Sequence, residues 1–207
     1  MPEDDDASSN RFELASGLTL ALLAALTAVN DLGGGKFGDD EIVGHNEKAA
    51  AYSWYQSKSI KETTVAQEAE LLQALTDAGA VVESARPAVE KRVADLQAEV
   101  KRYKAEKKEI LQGSAAVGPE GQVLDKDGQK GQIVGAQEWE RTLEVLGEAG
   151  DRFDGATLWL QLSMVAGAIS LVVKSVRLKW SFYAGMVLMG LIGSVYTVLA
   201  WQIAGSI

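Results

Sequence analysis

The chain carries one histidine, His45, close to the acids Asp39, Asp40 and Glu41. A metal site or a general base would need a second histidine or a dyad partner, and the sequence supplies neither. There is no cysteine, which excludes disulfides, thiolate metal sites and cysteine nucleophiles. Asp125-Lys126-Asp127-Gly128 is similar to the start of a calcium-binding loop. That loop also requires an oxygen ligand at its fifth position and a bidentate glutamate at its twelfth. Here the twelfth residue is Ala136, so a tight turn is expected instead. Gly33–Gly35 lacks the Lys-Ser/Thr that follows a phosphate-binding loop, and no nucleophile elbow or dinucleotide fingerprint occurs. The sequence therefore assigns no catalytic residue, no metal ligand and no cofactor site, and an enzyme is the least expected class.

Recognition chemistry is better represented. The run Tyr52-Ser53-Trp54-Tyr55-Gln56-Ser57-Lys58-Ser59-Ile60-Lys61 concentrates aromatic and basic side chains on one segment. It reads either as packing near a membrane, with rings against Trp139 and Phe153 and lysines snorkelling to headgroups, or as a docking surface. Trp54, Tyr55, Gln56, Lys58 and Lys61 are the candidate interaction residues on it. A second set comes from periodicity. Val89, Val93, Leu96, Val100, Tyr103 and Ile110 alternate steps of four and three, with Lys107 the one polar residue in the series. This is a heptad seam flanked by charge, and Val93, Leu96, Val100 and Tyr103 are its candidate contacts with another helix of this or a second chain.

The elements that hold these residues follow from the distribution of charge. The 207 residues are 47% hydrophobic, but almost no charge falls in 14–30, 155–173 or 180–207, and nearly all of it falls in 31–154. Such segregation matches two solvents, lipid and water. Residues 14–30 give roughly 25 Å of helix, a short but adequate crossing. A signal peptide is the competing reading. It would begin with a basic segment, whereas Glu3, Asp4, Asp5 and Asp6 are acidic, and no small-residue cleavage site follows Val29. Residues 155–173 and 180–203 are expected to be the second and third membrane helices, with 204–207 emerging. A net charge of −9 argues against a nucleic-acid partner.

Orientation is read from Lys174, Arg177 and Lys179, which have no acid among them and lie between the last two spans. Basic residues in short loops stay cytoplasmic, so the 174–179 turn is expected inside. Residues 1–13 then form an acidic cytoplasmic tail, and 31–154 and the C-terminus lie outside. Phe12, Trp180 and Tyr183 would form the inner aromatic belt and Trp159 and Trp201 the outer one. The pairs Ala21/Ala25, Ala24/Ala28, Ser163/Gly167 and Gly190/Ser194 would allow close helix approach, within the chain or between copies.

Within 31–154, residues 31–44 read as a glycine-rich exit loop, and a long helix is expected from about His45, with Val65, Leu72, Leu75 and Val82 along one side. Gly79 is its weak point, and Pro87 fits the first turn of the helix bearing the heptad seam. Residues 113–135 hold six glycines and read as a flexible loop or small hairpin. A last helix is expected to run from about Ala136 into the second span without a break. The fold class expected is all-α, with three membrane helices and an elongated, coiled-coil-like domain between the first and second.

The first span, Asn46-Glu47, the run Ala49–Tyr55, the continuation Gln56-Ser57-Lys58-Ser59-Ile60-Lys61 and a C-terminal hairpin with a basic, tryptophan-containing turn together resemble a family of bacterial membrane proteins, domain of unknown function 4337. This chain departs from the family's pattern in having Ser57 where alanine is frequent, and in its glycine-rich segment 113–135. The resemblance implies a bacterial cytoplasmic (inner) membrane and brings no activity or catalytic residue with it. The function expected is a non-enzymatic scaffold or accessory subunit in contact with membrane lipid, either a homo-oligomer or part of a larger complex. Two alternatives are an oligomeric channel or transport component, using Gln161, Ser163, Thr197 and Gln202, and an envelope-stress sensor. No ionisable residue lies within the spans, which disfavours an autonomous ion carrier.

Overall fold

A computed structural model describes the backbone from Glu3 to Ile207 and the side chains from Asn10 onward. The acidic side chains of the expected N-terminal tail, Glu3 to Asp6, lie outside the described residues. Five helices and one two-stranded hairpin make up the described chain: α1 (Glu3–Asp77), α2 (Arg86–Gln112), α3 (Ser114–Gly121), β1 (Asp125–Lys126), β2 (Gln129–Lys130), α4 (Ala136–Val172) and α5 (Val176–Ala204). The chain is all-α apart from that hairpin. Three of its helices, α1, α4 and α5, are long and apolar enough to cross a membrane. Two compact units share the chain: Met1–Ile42 with Leu143–Ile207, and Val43–Thr142.

The first unit is built from α1, α4 and α5. Phe37, Leu146, Ala149, Phe153, Ala200 and Ala204 form one buried cluster, and Leu23, Leu160, Ala166 and Met186 another. Glycine lets these helices approach closely. A Cβ on Gly190 would stand 2.6 Å from Leu23, and one on Gly193 would stand 2.7 Å from Leu160. Of the small-residue pairs in the sequence, Ser163, Gly167 and Gly190 are buried here and Ser194 is half-buried, whereas Ala21, Ala24, Ala25 and Ala28 face outward. Leu14, Leu18, Leu22, Leu158, Val165, Leu188, Leu191 and Val195 are all more than half exposed. Apolar side chains thus cover the outside of this unit as well as its inside.

The glycine-rich segment 31–44 corrects the sequence expectation: it is helical throughout, in the middle of α1. Gly33 shows why. An added Cβ there would meet the Phe153 ring at 2.6 Å, so the missing side chain makes the seat for that ring. Seating an aromatic ring offsets the helix penalty of about 1 kcal/mol per glycine. Gly35 has open space around it. The end of α1 is a second correction. Gly79 adopts φ +71°, and the Ala80 N–H bonds back to the Leu75 carbonyl, so the helix stops there. Val82, expected on its apolar side, lies in the following turn and is exposed, and Leu75 is also exposed.

In the second unit, α2 runs antiparallel to the α1 segment of that unit, as the pairs Lys58–Glu106, Glu62–Lys107 and Glu68–Arg92 require. Pro87 sits in the first turn of α2, where its missing N–H leaves no bond unmade. Residues 113–135, expected as a loop or small hairpin, contain both α3 and a hairpin. The hairpin turns on Asp127 (φ 56°) and Gly128 (φ 81°), with the Gly128 N–H on Asp125 Oδ1 at 2.7 Å. Two successive positive φ values make the twist that a two-residue β-turn needs. α4 begins at Ala136 and continues unbroken to Val172, as the sequence indicated.

The contrast between two neighbouring glycines is testable. Gly33→Ala should lower the melting temperature of the detergent-solubilised protein, because Phe153 must move. Gly35→Ala should leave it unchanged or raise it, by up to about 1 kcal/mol of helix propensity. Circular-dichroism melts of the two variants measure the difference.

Candidate interaction surfaces and polar clusters

Each unit contains polar groups whose placement demands an explanation. In the first unit the node is Asn30, 1% exposed. Its Nδ2 donates to the Phe153 carbonyl at 3.1 Å and to Thr157 Oγ1 at 2.8 Å, both on α4. Its Oδ1 accepts from Thr197 Oγ1 of α5 at 3.0 Å. One amide therefore ties α1 to both other helices, and its hydrogen bonds set their register. Leaving such an amide unpaired in an apolar surrounding would cost about 1–3 kcal/mol. The signal was present in the sequence: Asn30 is the amide that ends the apolar run of the first span.

Aromatic rings gather at two levels of this unit. Phe12, Trp180 and Tyr183 meet edge-to-face at 5.1–5.7 Å, with Lys179 Nζ 4.8 Å from the Phe12 ring centre. Phe37, Phe153 and Trp201 form the second group, with centroids 5.5–6.0 Å apart. Along α1, Phe12 and Phe37 are separated by roughly 37 Å at the helical rise per residue. Of the basic residues near the turn, Lys174 lies in the break between α4 and α5, while Arg177 and Lys179 fall in the first turn of α5. Gln161 and Gln202 are exposed, whereas Ser163 and Thr197 are buried, the Ser163 hydroxyl on the Leu160 carbonyl and the single Thr197 proton shared between the Gly193 carbonyl and Asn30 Oδ1. These four polar residues do not share a face.

The second unit brings several candidate residues together on the α1–α2 contact. Lys58 Nζ lies 2.6 Å from Glu106 Oε2 and 5.5 Å from the Tyr103 ring centre. Lys107 Nζ lies 2.5 Å from Glu62 Oε2 and 5.3 Å from the Tyr55 ring centre. Each helix thus supplies one tyrosine, one lysine and one glutamate, and each lysine crosses to the other helix's tyrosine and glutamate. These side chains are less than a fifth exposed, so water screens the pairs poorly. Lys58 turns inward here, contrary to the snorkelling expected of it. Val93 and Leu96 are buried and Val100 and Tyr103 half-buried, which places the heptad seam against α1 of the same chain. Gln56 and Lys61 are exposed.

Glu109 is the residue that periodicity missed. It is fully buried, and its carboxylate accepts from Ser114 Oγ at 2.7 Å and from the Val123 and Leu124 N–H groups at 2.8 Å each. Ser114 Oγ in turn accepts from the Ile133 N–H at 2.9 Å. Leu124 and Ile133 pack with Ile110 and Tyr55 beside it. The glycine-rich segment is thereby folded around a carboxylate. A Cβ on Gly135 would collide with the backbone of Gln112 and Gly113, and Gly113 adopts φ +91°, so glycine is required at each for its own reason.

Tyr52 donates to Glu140 Oε1 at 2.9 Å. This hydrogen bond to a carboxylate raises the tyrosine pKa above its usual value of 10.0, with burial and the adjacent negative charge adding to it. Trp54 lines a cavity with Trp139, as the sequence reading paired them, but Phe153 belongs to the cluster of the other unit.

Two measurements test these assignments. Glu109→Ala should destabilise the second unit by about 2–4 kcal/mol and speed hydrogen exchange at the Val123 and Leu124 amides, because two buried donors and one part-buried donor lose their acceptor. Glu140→Gln should bring the Tyr52 titration down toward about pH 10 in ultraviolet difference spectra against Tyr52→Phe. The raised pKa means that this contact stabilises the fold below about pH 10 and is lost as pH rises through the shifted value.

Comparison with known proteins matches neither a curated protein nor a solved structure to this chain. One family model, described as a domain of unknown function (DUF4337), matches residues 13–203. That range takes in all of α4, most of α1, nearly all of α5, the Asn30 node and the α1–α2 polar module, and the chain belongs to the DUF4337 family.

Proposed function

We propose that the protein is a non-enzymatic scaffold or accessory subunit embedded in the bacterial cytoplasmic membrane. The break between α4 and α5, with Lys174, Arg177 and Lys179 around it, is cytoplasmic and the second unit extracytoplasmic. Membrane embedding is supported by the apolar outward faces of α1, α4 and α5, which in water would form an exposed patch far larger than soluble monomers carry. Trp and Tyr at one level and Trp at the other suit the two interfaces of a bilayer.

The observation that carries the scaffold reading is an uncovered stripe on α1 in the second unit. Ser57, Ile60, Thr64, Gln67, Leu71 and Ala74 recur at steps of three and four, carry no charge and are all exposed. All but Ala74, which borders the groove between α1 and α2, lie opposite the seam that α2 covers. Steps of three and four are the spacing at which two parallel copies of one helix mesh side chains, and copies anchored in one membrane present α1 in parallel. The partner is accordingly a second copy of this chain. Val93 and Val100 pack inside the chain, so substitutions there would report on folding instead.

Light scattering on protein in a mild maltoside detergent tests the reading. Ile60→Asp with Leu71→Asp should reduce the oligomer to monomer while leaving the helical circular-dichroism signal intact. An unchanged mass, or a monomeric parent protein, would remove the support for self-association.

A further inference from the structure

The second unit already pairs cations with aromatic rings: Lys107 lies over Tyr55, and Lys58 and Arg102 lie over Tyr103. Its two tryptophans are treated differently. No lysine or arginine lies over Trp54 or Trp139 among the described residues. Indole binds a cation more strongly than phenol, so the best cation-binding rings of the unit are the ones left without a cation. Both line one cavity of about 420 Å³, within the size range of small-molecule sites.

The rest of the lining selects for charge and size. Glu47 and Asp125 contribute two carboxylates and Lys126 one ammonium, giving a net charge of −1. One oxygen of Asp125 accepts the Gly128 N–H, which fixes the side chain and leaves the other oxygen for a ligand. Ile133 and Val134, with the alanines of α1, supply apolar surface between the charges. A bare metal ion would find too few oxygens for its shell, and an anion would meet two like charges. A cation whose charge is spread over alkyl groups satisfies every part of the lining: its methyls take the indoles and the aliphatic wall, and its charge takes the carboxylates.

We propose that the cavity between Trp54 and Trp139 is a binding site for a small quaternary or alkylated ammonium cation. The elements that form it are anchored to their surroundings. Trp54 is one residue from Tyr55 and two from Tyr52, both held in place, and the hairpin carrying Asp125 is anchored through Leu124 to the buried Glu109. A preformed cavity loses little entropy on binding. The same ammonium chemistry occurs in free solutes and in choline lipid headgroups, and the two sources separate by experiment.

The full-length protein in maltoside detergent is titrated with tetramethylammonium and with choline, by calorimetry and by quenching of tryptophan fluorescence. The neutral isostere 3,3-dimethylbutan-1-ol, matched in shape but uncharged, is titrated alongside. Saturable binding is expected for both cations, with the neutral alcohol weaker by at least about tenfold. Trp139→Leu and Trp54→Leu should each weaken binding about tenfold. Glu47→Gln with Asp125→Asn, which leaves the packing untouched, should do the same and covers the case in which a tryptophan variant fails to fold. Binding seen only in nanodiscs containing phosphatidylcholine, and lost in the same variants, would identify the headgroup as the source and support the site. Equal affinity for the neutral alcohol, or cation affinity unchanged in the carboxylate variant, would overturn the proposal. So would absence of binding in both detergent and nanodiscs.

Discussion

Helices α1, α4 and α5 carry apolar side chains on their outward faces as well as their inward ones, so burial of apolar area alone cannot choose among ways of packing them. The buried amide of Asn30 can. Its three hydrogen bonds reach α4 and α5 together and are satisfied in one register. Sliding either helix by one turn would strand an amide in surroundings without water, at about 1–3 kcal/mol for each unmade bond. Glycine contacts act in the same direction, since Gly33 seats the rings of Phe153 and Trp201, Gly190 seats Leu23 and Gly193 seats Leu160. Directional bonds and close-fitting contacts thus fix the packing that burial of apolar area leaves open.

The second unit solves the same problem with charge. Its α1–α2 contact holds two partly buried lysine–glutamate pairs, each backed by a tyrosine face from the opposite helix. Desolvating such pairs consumes much of their attraction, so their contribution is to pairing specificity more than to net stability. A shift of α2 by one heptad would separate both lysines from their carboxylates at once. Glu109 extends this logic to the glycine-rich segment. With few side chains of its own to bury, that segment is ordered by backbone donors converging on a carboxylate.

Using these groups internally leaves other surfaces free, and both proposals concern those. The heptad seam and Lys58 are committed within the chain, while Ile60, Leu71 and the Trp54–Trp139 cavity are not. Self-association through α1 and cation binding at the cavity involve different residues and can be tested separately.

The sequence by itself determined the number and identity of the apolar helices, the continuity of α4 through Gly155, the place of Pro87 in the first turn of α2 and the tight turn at Asp127-Gly128. These follow from local rules: lack of charge over a helix length, the ring of proline, and residues that tolerate positive φ. Tertiary structure decided the rest. Gly33–Gly35 read as a loop because propensity counts only a residue's own backbone freedom, whereas the gain at Gly33 comes from a ring more than a hundred residues away. Glu109 belongs to no motif of the sequence, since nothing in the spacing shows that loop amides will fold back onto it. Lys58 read as a snorkelling cation because its partners, Tyr103 and Glu106, lie on another helix. Where the determining contact is local, the sequence carries it; where it joins distant segments, only the fold does.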